Sequence, residues 1–485
     1  MVILKNHFLK NKYIYIFLVI ALLFFGALIK INYSVDTYLL LGSPDLSYIQ
    51  EYSSNGRIIT TLMFKIFQFL RFNFNAMYLG SYLIGIICVT FSIYELFKIL
   101  SKYLKNKIIT ALLSILIIIN PFIIELWLFI EHGIMMLSIL SCILAYKYFD
   151  SYIVTKDYKK IIYSLIFLTI ALFSYQGTIA IFVSLSCLSI IWSSKSIKEF
   201  IKNNLICFGC YIIPTIINYF IVLQSQNNRV GFEINSLPET LKFIVNASIN
   251  QLFNAFGILP SNLFRITLII ILFLALITIF TRIRKKETAI LELLYIILIV
   301  YIFTIAPIIP QNIKTVVMFP RTTYAFGSII GIILLYLFKY YNNKIIKSCI
   351  IFLSIFILTT ELISFNNIAI NRYKTNNKDK HIIVQIENEI NKYEQSTGIT
   401  VTKLALYNLD NATKFYPEVN DTLNVSAISE ENSNKCMLSF YMKRKIELTN
   451  QDNSIYYSHF KGKKWKTFDT SQIVIKDDTL HWYIY

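Results

Sequence analysis

The sequence predicts an all-α polytopic membrane domain followed by a small extracytoplasmic α+β domain, and three observations lead to this fold class. Of the 485 residues, 56% are hydrophobic and only 15% are charged, whereas soluble globular chains are about half apolar and about a quarter charged. Apolar runs of about 17–22 residues, the length that a bilayer requires, recur up to residue 365. From residue 366 onward the composition is that of a soluble domain. We therefore predict a transmembrane domain over 1–365 and a soluble domain over 366–485.

Eleven apolar segments are predicted to span the membrane. They lie at about 13–31, 76–97, 108–124, 134–149, 161–175, 178–192, 204–223, 262–281, 288–305, 322–339 and 345–365. With the N-terminus in the cytoplasm, the cytoplasmic loops carry 21 of the 30 basic residues of 1–365, as the positive-inside rule expects. The soluble domain then lies outside the cell membrane. The segment 58–70 is apolar but short and carries Lys65, so we predict an amphipathic helix on the outer surface.

The net charge of +18 does not indicate nucleic-acid binding, because of where the charge lies. Residues 1–365 carry 30 Lys and Arg against 14 Asp and Glu, and residues 366–485 carry 16 against 14. The excess belongs to loops between spans and needs no polyanionic partner. Cys207 and Cys210 have the spacing of a redox motif but fall inside a predicted span, which favours small buried residues.

The soluble domain is predicted to begin with a helix, because Ile382, Ile383, Ile386 and Ile390 recur at helical spacing. Strands are predicted in the alternating stretches that follow, "ITVTKLALY", "CMLSFYMKRKIEL" and "SQIVIKDDTLHWYIY". The four residues 476–479 are predicted to form a hairpin turn.

Two charged residues follow the first span on the predicted outer face. Asp36 lies about five residues after that span, where partial desolvation can raise the pKa of a carboxylate toward that of a general base. It could equally be a helix cap or a solvated loop residue. Arg57 follows the turn Asn55-Gly56 and is suited to bidentate phosphate binding, although an arginine there could also simply reach the membrane interface.

Between them lie two further carboxylates. Asp45 follows Ser43 and Pro44, a pattern typical of a helix start with Ser43 as the cap, and this structural interpretation is favoured over a functional one. Glu51 lies six residues further on, and a functional and a structural role are equally open for it.

Three more candidates lie at the outer ends of later spans. Glu131 and His132 form an ionisable pair at such an end, which marks a functional candidate. No second His or acid stands nearby at metal-ligand spacing, so no metal site is assigned, and a divalent-metal requirement stays open. Arg321 follows Pro320 at the start of a span, where it could meet a lipid phosphate.

Taken in order along the chain, these motifs resemble the bacterial Gtr type-II glucosyltransferase family of polytopic enzymes. Four features carry the resemblance: Val35-Asp36-Thr37 with Asn55-Gly56-Arg57, Ser174-Tyr175-Gln176-Gly177, Pro320-Arg321-Thr322, and the closing block from Lys466 to Tyr485. Many members have paired aspartates at the first site, where this chain has Thr37.

The resemblance implies a GT-C-like architecture and a mechanism at the outer face of the plasma membrane. A sugar, commonly glucose, would be carried on polyprenyl phosphate and transferred to a hydroxyl of a surface glycan. Asp36 would be the general base, and Arg57 and Arg321 would hold the phosphate. The sugar pocket would be lined by Glu131, His132, Tyr175 and Gln176, with Asp45 or Glu51 able to take the place of the second aspartate.

Two alternatives come from other activities. A glycan polymerase or ligase would transfer a whole lipid-linked oligosaccharide, but such enzymes depend on arginine-rich outer loops, and the 224–262 loop has only Arg229 and Lys242. A transporter or flippase would show inverted repeats, and neither internal symmetry nor an even number of spans is seen.

Overall fold

The computed structural model describes residues 2–42, 48–225, 237–283, 289–309, 318–340, 343–408, 423, 426–465 and 467–484. Within these ranges the chain is mostly helical. The α-helices, in chain order, are α1 (Val2–Phe25), α2 (Val35–Leu41), α3 (Tyr48–Ser54), α4 (Ile58–Phe69), α5 (Phe74–Leu100), α6 (Lys107–Ile118), α7 (Ile123–Leu126), α8 (His132–Thr155), α9 (Lys159–Ser174), α10 (Ala180–Ser193), α11 (Ile197–Gln224), α12 (Leu237–Asn254), α13 (Ser261–Ile283), α14 (Ala289–Ile305), α15 (Tyr324–Tyr340), α16 (Lys344–Thr397), α17 (Glu431–Met442) and α18 (Asn453–Ile455).

Each predicted span coincides with a helix over most of its length. Among the described residues, seven helical segments are both long and apolar enough to cross a membrane: Lys12–Ile29, Phe74–Leu100, His132–Thr155, Gln176–Ser193, Ile197–Gln224, Ser261–Phe280 and Lys344–Thr397. The membrane character of the chain is therefore supported, while the count of eleven spans and their orientation stay predictions. The amphipathic segment predicted over 58–70 is helical as α4, with Met63, Phe64 and Phe67 buried on one face.

The third predicted span, 108–124, is not a continuous helix. The helix α6 ends at Ile118, because Pro121 cannot continue it and also disfavours helical geometry at Asn120. The Asn120 side chain accepts a hydrogen bond from the amide of Phe122 and donates one to Ser328 Oγ at 3.0 Å, which fixes the break. The chain then forms the short α7 before α8 begins.

The C-terminal part forms a four-stranded sheet with helices against it. The strands are β1 (Lys403–Tyr407), β2 (Glu447–Leu448), β3 (Ile473–Lys476) and β4 (Thr479–Tyr483), in the order β2-β1-β4-β3. β1 is parallel to both of its neighbours, and β3 and β4 form the predicted hairpin.

One strand prediction in this part is wrong. Most of "CMLSFYMKRKIEL" is helical as α17, and only Glu447 and Leu448 are extended. The run from Cys436 to Leu438 is buried along its whole length, so alternation in the sequence does not correspond to two faces of a strand.

The longest element, α16, joins the two parts of the chain without a break. It has 54 residues and is therefore about 80 Å long, against a hydrocarbon thickness of about 30 Å. The predicted helix over 382–390 is confirmed as its last turns. Its buried residues Ile382, Ile383, Ile386 and Ile390 share one hydrophobic core with residues of α2, α3 and α4.

Candidate functional site

A half-enclosed cavity of about 750 Å³ lies where α2, α3 and α4 meet the ends of the apolar helices. Its polar and charged lining residues include Asp36, Glu51, Arg57, Glu131, Gln176 and Arg321. Its apolar lining residues include Leu172, Ile179, Ile216, Val222, Ile308 and Phe319. A cavity of this size with convergent polar groups against apolar walls is typical of a ligand site.

Asp36 lies in the first turn of α2 and lines the cavity. Ser34 caps this helix by accepting a hydrogen bond from the amide of Thr37 at 3.1 Å. Thr37 is buried, and its hydroxyl lies 2.8 Å from Ser34 Oγ. Thr37 thus completes the cap and does not line the cavity, so of these two neighbours only Asp36 faces it.

Arg57 is presented to the cavity by a tight turn. Gly56 has φ of +75°, and a β-carbon there would come within 2.5 Å of the Asn218 side-chain nitrogen. The Arg57 guanidinium stacks on the Tyr175 ring with its central carbon 4.6 Å from the ring centre, and its Nε donates to Gln176 Oε1 at 3.4 Å. The arginine is therefore fixed in direction by the Tyr175 ring and the Gln176 carboxamide, with Glu131 Oε1 3.9 Å from its Nη1.

The amide of Gln176 connects this turn to α11. Its nitrogen donates to the carbonyl oxygen of Asn55 at 2.6 Å and to Asn218 Oδ1 at 3.4 Å, and Asn218 in turn donates to the carbonyl oxygen of Gly56 at 2.9 Å. The predicted Tyr-Gln pair and the Asn-Gly-Arg turn, more than a hundred residues apart in sequence, thus form one hydrogen-bonded unit.

Arg321 is held by a carboxylate that the sequence analysis missed. Glu125, on the short α7, accepts from Arg321 Nη1 at 2.5 Å and from the Arg321 backbone amide at 2.7 Å. The guanidinium also lies 4.6 Å from the ring centre of Phe129 and 4.7 Å from that of Phe319. The backbone of Arg321 packs closely against Gly177. A β-carbon at residue 177 would overlap the carbonyl oxygen of Arg321.

Glu131 is a buried carboxylate that also lines the cavity, with its side chain only 5% exposed. It accepts a hydrogen bond from the Tyr52 hydroxyl at 3.2 Å and lies 3.9 Å from Arg57 Nη1. Burial raises the pKa of the Glu131 carboxyl, the Arg57 charge opposes this rise, and the Asp36 charge adds to it. The carboxyl therefore binds a proton more readily than an ordinary glutamate.

The structure does not bring all the predicted site residues to the cavity. His132 is fully buried and does not line the cavity. It is stacked on Trp127 with ring centres 5.2 Å apart, and its Nδ1 lies 2.5 Å from the carbonyl oxygen of Phe129. It belongs to the packed core. Asp45 lies outside the described residues, whereas Glu51 is exposed and lines the cavity.

Sequence reasoning missed Glu125, Tyr52 and Asn218. Glu125 had a visible signal, since it is a carboxylate beside an apolar run that Pro121 interrupts. Tyr52 and Asn218 carry no such signal, because each enters the site only through tertiary packing. Across the described ranges, no three His, Cys, Asp or Glu side chains are grouped so that they could hold a metal ion.

The fold and the cavity define a multi-helix membrane protein that collects three carboxylates and two arginines in one cavity. The chain belongs to the glucosyl transferase GtrII family, whose sequence profile matches residues 25–332, more than half of the chain. This confirms the resemblance noted from the motifs, although the closing block 466–485 lies outside the match. No curated protein and no solved structure matches the chain. The protein is thus a glucosyltransferase, an enzyme that requires a sugar donor and an acceptor.

Proposed function

We propose that the protein transfers a single sugar, glucose, from a polyprenyl-phosphate carrier to a hydroxyl of a cell-surface glycan on the outer side of the plasma membrane. The observation that carries this proposal is the composition of the cavity. Its lining combines two aromatic-stacked arginines and the Asp36 carboxylate with apolar side chains. A lipid-linked sugar phosphate combines the same features, namely an apolar chain, an anionic group and a polyhydroxyl ring.

In this mechanism the two arginines bind the phosphate that leaves. Arg57 is 3.9 Å from its nearest carboxylate oxygen, on Glu131, so its Nη groups keep donors for a ligand. Arg321 is oriented by Glu125 and stacks on Phe129 and Phe319. Fixed cations stabilise negative charge that develops on the leaving phosphate, and they need no reorganisation during the reaction.

Asp36 acts as the general base on the acceptor hydroxyl. It extends from a capped helix and lines the same cavity as both arginines. The acceptor oxygen attacks the anomeric carbon, the bond from that carbon to the phosphate oxygen breaks, and the hydroxyl proton passes to the Asp36 carboxylate. The phosphate leaves with the bonding electron pair, and the polyprenyl phosphate returns to the membrane.

Glu131 adjusts the charge of the cavity. With all carboxyls ionised, Asp36, Glu51 and Glu131 would oppose the binding of an anion. Burial raises the pKa of Glu131, so this carboxyl carries its negative charge less readily than an ordinary glutamate and opposes anion binding less. Gln176 lines the same cavity with a carboxamide suited to sugar hydroxyls.

The test uses the purified protein in lipid nanodiscs with radiolabelled glucose on a short-chain polyprenyl phosphate and the surface polysaccharide of the source cells as acceptor. We expect transfer from this donor and none from a nucleotide-linked glucose. Arg321→Gln should lower kcat/KM for the lipid donor at least about tenfold, which corresponds to about 1.4 kcal/mol. Transfer from the nucleotide sugar alone would contradict the proposal.

The matched control for that variant is Arg265→Gln. Arg265 bonds only to Asn254 Oδ1 among the hydrogen bonds described, is exposed, and is not part of the cavity wall. Its replacement should leave kcat/KM unchanged. An equal loss in both variants would show that the effect of Arg321→Gln comes from general destabilisation and not from phosphate binding.

A further inference from the structure

The family match ends at residue 332, yet the helix that carries Asp36 is held by residues beyond that point. α2 has only seven residues, and so short a helix has almost no stability of its own. Its position is therefore set by the groups that contact it. The contacts that approach from the C-terminal part of the chain come from α16 and α17.

The first of these contacts is made at the carbonyl oxygen of Tyr33, which immediately precedes the cap of α2. Asn376 Nδ2 donates to this oxygen at 3.1 Å, and Arg372 Nη2 donates to it at 3.3 Å. Asn376 Nδ2 also lies 3.2 Å from the Tyr38 hydroxyl oxygen. Both side chains are buried on one face of α16, one turn apart. They therefore bind the chain on both sides of Asp36, at positions 33 and 38.

The second contact is made at the end of α2. A β-carbon on Gly42 would overlap the α- and β-carbons of Cys436, on α17. The φ of Gly42 is −79°, so the need for glycine comes from this close approach and not from the backbone conformation. The same segment is also anchored to α5, because the Tyr33 hydroxyl donates to Asn75 Oδ1 at 2.7 Å.

We propose that Arg372 and Asn376 are positioning residues for Asp36, so that the C-terminal part of the chain serves the transfer step itself. This inference rests on the role of Asp36 as the base in the proposed function. A buried carbonyl oxygen needs a donor, and at Tyr33 that donor comes from α16. A base that shifts by about 1 Å from its reactive position can lose about 100-fold in rate.

The kinetic parameter that changes distinguishes a positioning role from a merely structural role. The phosphate-binding arginines are held by Gln176, Tyr175 and Glu125, none of which contacts α16 through the hydrogen bonds described above. Loss of Asn376 should therefore lower kcat while leaving KM for the sugar donor unchanged. General destabilisation would instead lower the amount of active enzyme and the melting temperature, with no selective effect on the step that uses Asp36.

The experiment compares Asn376→Ala with Asn377→Ala in the full-length protein in nanodiscs. Asn377 is the neighbouring asparagine on the exposed face of α16. We expect Asn376→Ala to lower kcat about 10- to 100-fold at an unchanged donor KM, and Asn377→Ala to behave as wild type. Arg372→Lys, which keeps the charge and one donor, should lose less than Arg372→Ala. Equal kcat values for Asn376→Ala and wild type would overturn the inference.

A double-mutant comparison keeps the inference testable if Asn376→Ala also reduces stability. Asp36→Glu displaces the carboxylate by one methylene, so the base is already misplaced before Asn376 is changed. Adding Asn376→Ala to Asp36→Glu should then cost less than threefold. The same fold loss in both backgrounds would show a structural role only. Full activity of Asp36→Asn would instead refute the base assignment, which is a failure of the proposed function and is recognised separately.

Discussion

The turn that presents Arg57 gives the sharpest single perturbation, Gly56→Ala. Gly56 has φ of +75°, and an alanine β-carbon would lie 2.5 Å from the side-chain nitrogen of Asn218. Asn218 is buried and must move away, which breaks its 2.9 Å bond to the Gly56 carbonyl oxygen and its 3.4 Å contact with Gln176. Because Gln176 accepts from Arg57, the disturbance reaches the proposed phosphate-binding group.

The size of the effect follows from two parts. The left-handed conformation costs an alanine about 1–2 kcal/mol, and the lost hydrogen bond costs about 1 kcal/mol more. For activity, a displacement of Arg57 by a few tenths of an ångström to 1 Å should lower kcat/KM about 10- to 100-fold. The assay is glucosyl transfer from the lipid-linked donor, with a melting curve on the same preparation.

Gly462→Ala is the matched control. Gly462 also has a left-handed backbone, with φ of +79°, but nothing lies within 4 Å of the position of its β-carbon. This variant should lose only the stability that the left-handed conformation costs an alanine, and it should keep full activity. If Gly56→Ala were as active as Gly462→Ala, the coupling of the turn to the cavity through Asn218 would be refuted.

Three further outcomes are expected. Glu125→Gln should reduce the free energy of unfolding by about 2 kcal/mol, because a buried hydrogen-bonded charge pair with Arg321 is broken; denaturation of the purified protein measures this. Burial raises the pKa of Glu131 above 4.5, so the stability linked to this group is complete below pH 4.5 and is lost as the pH rises through the raised pKa. Melting temperatures across that window should fall in wild type and not in Glu131→Gln. Tyr175→Ala should weaken donor binding about 2- to 30-fold by removing the ring under Arg57, whereas Tyr175→Phe, which keeps the ring, should bind normally.

Each of these outcomes has a result that contradicts it. The control for Glu125→Gln is Glu199→Gln, which removes an exposed ion pair with Lys156 and should leave the free energy of unfolding unchanged. An equal loss of unfolding free energy in both variants would show that the Glu125 pair is not specially stabilising. A parallel pH response in wild type and Glu131→Gln would assign the titration to another group. Equal donor binding by Tyr175→Ala and Tyr175→Phe would show that stacking on Arg57 does not matter.

Much of the membrane fold is predictable because hydrophobic length is a one-dimensional property of the chain. The break at Asn120-Pro121 is also encoded locally, and the predicted third span extends beyond the end of its helix only because its apolar run was followed past the proline. The helix α17 was not predictable in this way. Its short apolar run, Cys436 to Leu438, is buried in a core that includes residues of α2. Only this packing distinguishes a helix from a strand there.

The charged residues that line the cavity could be predicted from the sequence, but the residues that contact them could not. Arg57, Gln176 and Arg321 each stand in a turn or at the start of a helix, where the sequence shows a polar group between apolar segments. Which of them touch depends on how α4, α9 and α11 pack. Glu131 and His132 are neighbours in the sequence and were predicted as a pair, but α8 begins between them. Glu131 therefore faces the cavity, and His132 faces the core.

The central claim is that Asp36 is the base of a single-sugar transfer, and the most direct measurement is mass analysis of the surface polysaccharide from cells that carry only Asp36→Asn. Asp157→Asn, on an exposed turn, is the control. We predict that one hexose per repeat unit is missing with Asp36→Asn and present with Asp157→Asn, at equal protein levels in the membrane. A complete polysaccharide in the Asp36→Asn cells would contradict the account.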